Sequence, residues 1–311
     1  LIKNAPVKTN DTPKFVYRGI LLDTSRNFYH VDSILRTLDA MSNNKLNVLH
    51  WHIVDAFSWP VESKVHSELT EKGAYSTDIL YPYEEIKIIN YAKSRAIRVM
   101  PEFNMPGNTF IVSDAHPEIM SCLNKQPNWD KFGPEPPSGQ LNIADLRGSF
   151  AFDVITEYSR LFVDLGFHMG GGSLNLDWWK EDPVIELYVC DHPGESIESL
   201  VKGWFNQTVG KIQEMGKVPF AREDSMLNFG YETKNTTIVE AWVSEDSARL
   251  LTKVTVRLLL PGTDTTSIAV MARGCQTLRA ARGATRTRAG RKSTATIREQ
   301  KLLIQQSKSL F

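Results

Sequence analysis

The chain has 311 residues, 41% of them hydrophobic and 23% charged, enough to bury one large domain or two smaller ones as a soluble globular protein. No apolar run reaches the length that crosses a bilayer as a helix. The formal net charge is zero, but residues 273–311 hold ten Lys/Arg against the single acid Glu299, leaving 26 basic and 35 acidic residues in an acidic body.

Taken in chain order, residues 1–14 form an N-terminal extension, and residues 15–260 read as strands alternating with helices. Leu1 is neither an initiator Met nor the start of a signal peptide, so the expectation is a processed or truncated end. Phe15–Asp23 is an apolar strand, and Val31–Asn44 follows with helical spacing of Ile34, Leu35, Leu38 and Met41. Leu46–Val54 is a second strand, Tyr83–Ala96 an amphipathic helix, and Arg98–Phe103 a third strand. Ser149–Leu165 is a helix, Phe167–Gly171 a strand, Leu200–Met215 a helix and Val218–Ala221 a short strand. Thr237–Val243, Glu245–Thr252 and Val256–Leu260 add strand, helix and strand. This alternation of period 2 with period 3.6 predicts βα units around a parallel sheet. Asp23, His52, Asp55, Glu102, His168, Glu223 and Trp242 fall at strand C-termini, where a (β/α)8 TIM-type barrel builds its site. A doubly wound sheet would do the same, but no Gly-x-Gly-x-x-Gly follows the first strand, so a nucleotide cofactor has no support.

After Leu260 the texture changes. Val243 to Leu310 contains no aromatic residue, and residues 273–298 are mostly Arg, Ala, Thr and Gly. About seven strands can be counted, so the barrel is expected to be incomplete or distorted at its C-terminal end. Residues 261–311 read as an atypical basic segment with the composition of a disordered tail. Without interleaved aromatics or a nucleic-acid module, a solvated terminus is favoured over nucleic-acid binding. Cys122, Cys190 and Cys275 specify neither a disulfide framework nor a metal site, and no cofactor is expected. Sequons at Asn10, Asn206 and Asn235 favour a secretory route only slightly.

Several motifs occur in a recognisable order. Arg18-Gly19-Ile20-Leu21-Leu22-Asp23-Thr24-Ser25-Arg26 comes first, then Asn44-Lys45-Leu46-Asn47-Val48-Leu49-His50-Trp51-His52-Ile53-Val54-Asp55. Arg98-Val99-Met100-Pro101-Glu102-Phe103, continuing to Pro106-Gly107, is third, and His168-Met169-Gly170-Gly171 fourth. Over roughly residues 15–255 the set resembles the catalytic barrel of the β-N-acetylhexosaminidases, family 20 of the glycoside hydrolases. The resemblance implies substrate-assisted retaining hydrolysis of terminal N-acetylglucosamine or N-acetylgalactosamine on glycoconjugates or chitin-type oligosaccharides. It also implies a lysosomal or extracellular glycoprotein, without membrane span or nucleic-acid partner, that forms a homodimer through the late barrel loops.

The family's catalytic Asp-Glu pair follows the fourth motif at once, and here those positions are Gly172 and Ser173. Further family positions read Ala56, Asn104, Asn108 and Ala221-Arg222 in place of Asp, Asp, His and Trp-Gln. A Trp-Tyr expected after Leu260 reads Thr263-Asp264, and a Cys that pairs with the Cys122 position is Trp178. Catalysis is therefore expected to be impaired or absent, with Asp177 the nearest carboxylate for rescue. By resemblance Arg18, Asp55, Glu102 and Trp242 form a partial sugar site. Each has a structural alternative: a strand-end ion pair for Arg18, a loop cap for Asp55, core packing for Trp242. For His50, His52 and His168 the structural alternative is favoured. The competing readings are an active enzyme with a rearranged acid, a non-catalytic sugar-binding or structural relative, and an altered or incomplete version of an active hexosaminidase.

Overall fold

Residues 6, 8–13, 15–83, 87–123, 131, 137, 139–144, 149–231, 237–252, 257–260 and 270–273 are described by a computed structural model. The strands are β1 (Gly19–Asp23), β2 (Val48–Val54), β3 (Arg98–Met105), β4 (Met120–Ser121), β5 (Gln140–Leu141), β6 (Gly166–Gly170), β7 (Val218–Arg222), β8 (Ile238–Glu240), β9 (Arg257–Leu260) and β10 (Val270–Arg273). The helices are α1 (Val31–Asn43), α2 (Ser67–Gly73), α3 (Lys87–Lys93), α4 (Ser149–Leu161), α5 (Leu176–Lys180), α6 (Pro183–Asp191), α7 (Ile197–Glu214), α8 (Asp224–Leu227) and α9 (Glu245–Thr252). Eight strands form one sheet in the order β1-β2-β3-β6-β7-β8-β9-β10, while β4 and β5 pair separately. Every neighbour from β1 to β9 is parallel, giving the expected TIM-type barrel, incomplete at its C-terminal end.

Helices form where one stripe can be buried. In α1 the buried residues are Ile34, Leu38 and Met41, spaced one face apart. They belong to the same core cluster as Leu49, Trp51 and Ile53, which alternate with the inward His50 and His52 along β2. The helix expected over Ser149–Leu165 stops at Leu161, and Val163 and Leu165 stand exposed in the turn into β6. The helix α7 starts at Ile197 rather than Leu200, because Ser196 and Ser199 cap each other reciprocally. A Glu at the third position would have advertised that start; a Ser does not. Likewise α6 opens on Asp182, whose carboxylate accepts the Val184 and Ile185 amides, with Pro183 at its first position.

The late strands depart from the expectation. The strand expected over Thr237–Val243 is only Ile238–Glu240. A strand does occur inside residues 261–311, but β10 runs antiparallel to β9. Nine residues separate them, too few for the crossover of a dozen or more that a parallel neighbour requires. Thus β10 does not act as an eighth barrel strand, and no pairing joins it to β1 among the described residues. The basic tail beyond Arg273 and the Thr263-Asp264 positions lie outside the described residues. Among those described, no helix is long and apolar enough to cross a membrane.

Candidate functional site

Alternation along each strand sorts the barrel interior into layers. Tyr17, Val48, Met100, Phe220 and Ile238 form an apolar plug at the N-terminal end of the sheet. Two residues further along the same strands come His50, Glu102, Arg222 and Glu240, joined by His168. All but Arg222 are fully buried, and Arg222 is largely so. Apolar below and ionic above, the interior places its charges toward the C-terminal ends of the strands.

Glu102 is the hub. Arg222 donates to it bidentately, Nε to Oε1 at 3.0 Å and the terminal nitrogen to Oε2 at 3.1 Å. Nε2 of His50 and Nδ1 of His52 each lie 2.8 Å from Glu102 Oε2. His52 also meets Asp55 Oδ2 through Nε2 at 2.8 Å, and Asn104 Nδ2 donates to that same oxygen at 3.2 Å. Gly170 N–H donates to His168 Nδ1 at 3.0 Å, so the ring proton sits on Nε2, 3.2 Å from Glu240 Oε2. That close approach needs glycine: Gly170 has φ +78°, and a Cβ there would lie 2.5 Å from Asn104 Cα.

These contacts set the charges. Burial opposes ionisation of Glu102, but Arg222 and the surrounding histidines hold its carboxyl well below the usual range. Against the same penalty, His52 and Arg26 hold Asp55 down, and His50, His168 and Arg222 hold Glu240 down. Burial pushes His168 down, in keeping with its neutral tautomer. Burial also opposes a charge on His52, yet Glu102 and Asp55 raise it to about 10. Because the folded chain holds the His52 proton more tightly than the unfolded chain, the stability it contributes is complete below pH 6.5 and is lost as pH rises toward 10. The three depressed carboxylates act oppositely, adding stability above their unfolded values and losing it as pH falls. Unfolding titrations should therefore show a maximum near pH 5–6.5 and an alkaline loss on the order of a few kcal/mol between pH 6.5 and 10. A flat alkaline limb, or one unchanged in His52→Gln, would contradict the assignment.

The expected catalytic positions lie beside this cluster. Gly172 faces Arg222: a Cβ there would lie 2.6 Å from Arg222 Cδ. Ser173 adopts a left-handed backbone, φ +57°, and its N–H donates to Asp224 Oδ1 at 3.2 Å. Asp177 is not brought to the cluster: its half-exposed carboxylate pairs with Lys180 one turn along α5, at 3.0 Å. Burial pushes Glu223 up, but the residue is only 1% exposed and its Oε1 accepts from Val243 N–H and the Ser247 hydroxyl. Trp242, after β8, is 43% exposed; its Nε1 donates to Asp224 Oδ2 at 2.8 Å, and the Arg222 guanidinium lies 5.5 Å from its ring. Asp55 does cap its loop, accepting Ala56 N–H at 2.7 Å.

Arg18 must be reassigned. It precedes β1 at the N-terminal end of the sheet, opposite the face that carries Glu102, Asp55 and Trp242. Its guanidinium donates to the Lys45, Phe15 and Val16 carbonyls. The arginine of that motif which reaches the site is Arg26, beyond the C-terminal end of β1. It meets Asp23 at 2.6 Å and Asp55 at 3.5 Å. The usable signal was position: a strand's far end, not its first residue, faces the site.

His50, His168 and Glu240 also cluster closely enough to suggest a metal. They do not suit one, because the His168 Nδ1 accepts the Gly170 amide and its Nε2 therefore carries a proton, not a lone pair. Arg222 also adds a cation 3.9 Å from Glu240. Where the resemblance implied a lost disulfide, Trp178 Nε1 donates to the Cys122 carbonyl.

The chain resembles known proteins over most of its length. The profile described as glycosyl hydrolase family 20, catalytic domain, matches residues 15–266. The β subunits of human and mouse β-hexosaminidase are 35% and 34% identical over 248 residues, covering 79% of this chain. The chain spans 44% and 45% of those relatives' lengths, less than half of each. Among solved structures, the chitobiase of Flavobacterium johnsoniae superposes with a TM-score of 0.66 at 27% identity, covering 80% of this chain and 38% of that one.

Proposed function

Because the chain belongs to glycosyl hydrolase family 20, we propose that it is a hexosaminidase-like domain that recognises terminal N-acetylhexosamine without hydrolysing it efficiently. The observation that carries the reading is Arg222, which lies against Gly172 and is locked onto Glu102. No carboxyl group stands at residues 172 or 173. A general acid needs a pKa near the working pH. Glu102 is held ionised far below it, Glu223 is walled in, and Asp177 is engaged by Lys180 on the surface.

Recognition would rest on the exposed ring of Trp242 and on Arg26, with Asp23 and Asp55 beside it, together offering an apolar face and hydroxyl partners. Calorimetric titration with N-acetylglucosamine should give a Kd in the millimolar range, about −4 kcal/mol. Trp242→Ala should weaken binding up to about tenfold, the worth of one aromatic stacking contact. Absence of any binding heat at tens of millimolar sugar would sink the recognition half of the reading.

The same reading places the chain on a secretory, lysosomal or extracellular route as a glycoprotein, and pairs two copies through the late barrel loops. Asn10 supports it as an exposed sequon. Asn206 does not, since it sits within α7 and the Thr208 hydroxyl bonds back to the Trp204 carbonyl at 2.9 Å. Asn235 lies outside the described residues. A second reading, an altered or incomplete version of an active hexosaminidase, is favoured by the antiparallel β10 and by the family match ending at residue 266. Resequencing the source transcript across residues 165–180 and 255–311 decides it: an intact Asp-Glu pair and Trp-Tyr would establish it, and the present sequence would eliminate it.

A further inference from the structure

A second group of ligating side chains lies in the segments that follow β2 and β3. His66 immediately precedes α2, Glu68 lies in its first turn, and His116 precedes the 3-10 turn Pro117–Ile119. One ligand atom from each of the three lies within 4.8 Å of the others. Glu68 Oε1 is 2.9 Å from His116 Nε2 and 3.7 Å from His66 Nδ1. A tetrahedral zinc with bonds of about 2.0–2.1 Å sets its ligand atoms roughly 3.3 Å apart, midway between these distances.

Two further observations distinguish this trio from a chance surface cluster. First, His116 Nε2 is sheltered from solvent and lies 2.9 Å from Glu68 Oε1, so with the ring proton on Nδ1 two acceptor atoms face each other and need a shared cation. Second, each imidazole is held from behind by a carboxylate. His66 Nε2 meets Asp153 Oδ2, and His116 Nδ1 meets Glu118 Oε1, both at 3.2 Å. Those contacts put the ring proton on the outer nitrogen and leave the inner lone pair free, the arrangement that orients histidines on a metal. The Phe150 ring lies 5.3 Å from one imidazole and 6.0 Å from the other.

We propose that His66, Glu68 and His116 form a binding site for a divalent transition metal of the zinc class, with water as the fourth ligand and Asp153 and Glu118 as the supporting carboxylates. The mixed nitrogen and oxygen donor set suits zinc and is foreign to calcium or magnesium, which take oxygen alone. Bound there, the ion staples the segment after β2 to the segment after β3.

The test is zinc uptake by the full chain, first stripped with a chelator, followed by calorimetry and by equilibrium dialysis with metal analysis. One zinc per chain should bind with a micromolar or tighter Kd. His116→Gln should abolish tight uptake, and Asp153→Asn should weaken it about 10- to 100-fold, the usual cost of losing a supporting carboxylate. His192→Gln, which alters an exposed histidine elsewhere, should leave it unchanged. Circular dichroism of each variant checks that folding persists, and Glu68→Gln supplies a second ligand change should His116→Gln fail to fold. No uptake at about millimolar zinc, or uptake undiminished when His116 or Glu68 is changed, would overturn the proposal.

Discussion

Incubated with a chromogenic N-acetyl-β-glucosaminide, this chain should show no turnover above the uncatalysed rate. General acid catalysis alone supplies about 10²–10⁴ in rate, roughly 3–5 kcal/mol of barrier. The chain also lacks the neighbouring carboxylate, and Arg222 lies against the position it would occupy. Installing both acids by Gly172→Asp and Ser173→Glu should recover little. The new Cβ would approach Arg222 Cδ to 2.6 Å, so the arginine must leave Glu102 before an aspartate fits. Residue 173 would also have to carry a longer side chain on a left-handed backbone already tied to Asp224. Turnover by the native chain that vanishes in Asp177→Asn would refute the reading and mark Asp177 as a relocated acid.

Replacing Glu102 should be the most destabilising single change in the barrel interior. Glu102→Ala strands Arg222 and His52, two buried cations that depend on it. Breaking a buried pair by removing one partner costs about 3–5 kcal/mol, because the remaining charge has lost its compensation. Urea unfolding of Glu102→Ala, with its midpoint and slope compared with the native chain, measures this. The double variant Glu102→Gln with Arg222→Met should cost less than the sum of the two single changes, with a coupling of about 0.5–3 kcal/mol. A loss below about 1 kcal/mol for Glu102→Ala would mean that water solvates the cluster and that the ion pairs contribute little.

Much of this molecule is legible before folding. The seven parallel strands coincide with apolar or alternating segments because each strand's burial is a local property of its own sequence. Elements announced by weaker signals were harder to read. The Ser196–Ser199 cap, the Asp182-Pro183 start of α6 and the short α2 and α5 carry no long periodicity. The site divides in the same way. Glu102, Asp55 and Trp242 could be placed from strand ends, and Gly172 and Ser173 from the motif they interrupt. Arg18 heads the motif but stands before the first residue of β1, whereas strand direction carries Arg26 to the end of the sheet that holds Asp55.

By itself, then, the sequence determined a βα barrel of family 20 descent and the absence of a carboxyl pair at residues 172 and 173. Only the tertiary structure decided what stands there instead. Arg222 on β7 reaches Glu102 on β3 across 120 residues of chain, and no local pattern encodes that meeting. It depends on strand register, which aligns Glu102 with His168 and sets Arg222 one inward position beyond Phe220, the register partner of His168. It depends equally on burial, since a carboxylate taken out of contact with solvent must find a cation. The same holds for the end of the sheet: the composition after Leu260 indicated departure from the barrel, but chain length and pairing fixed β10 as antiparallel.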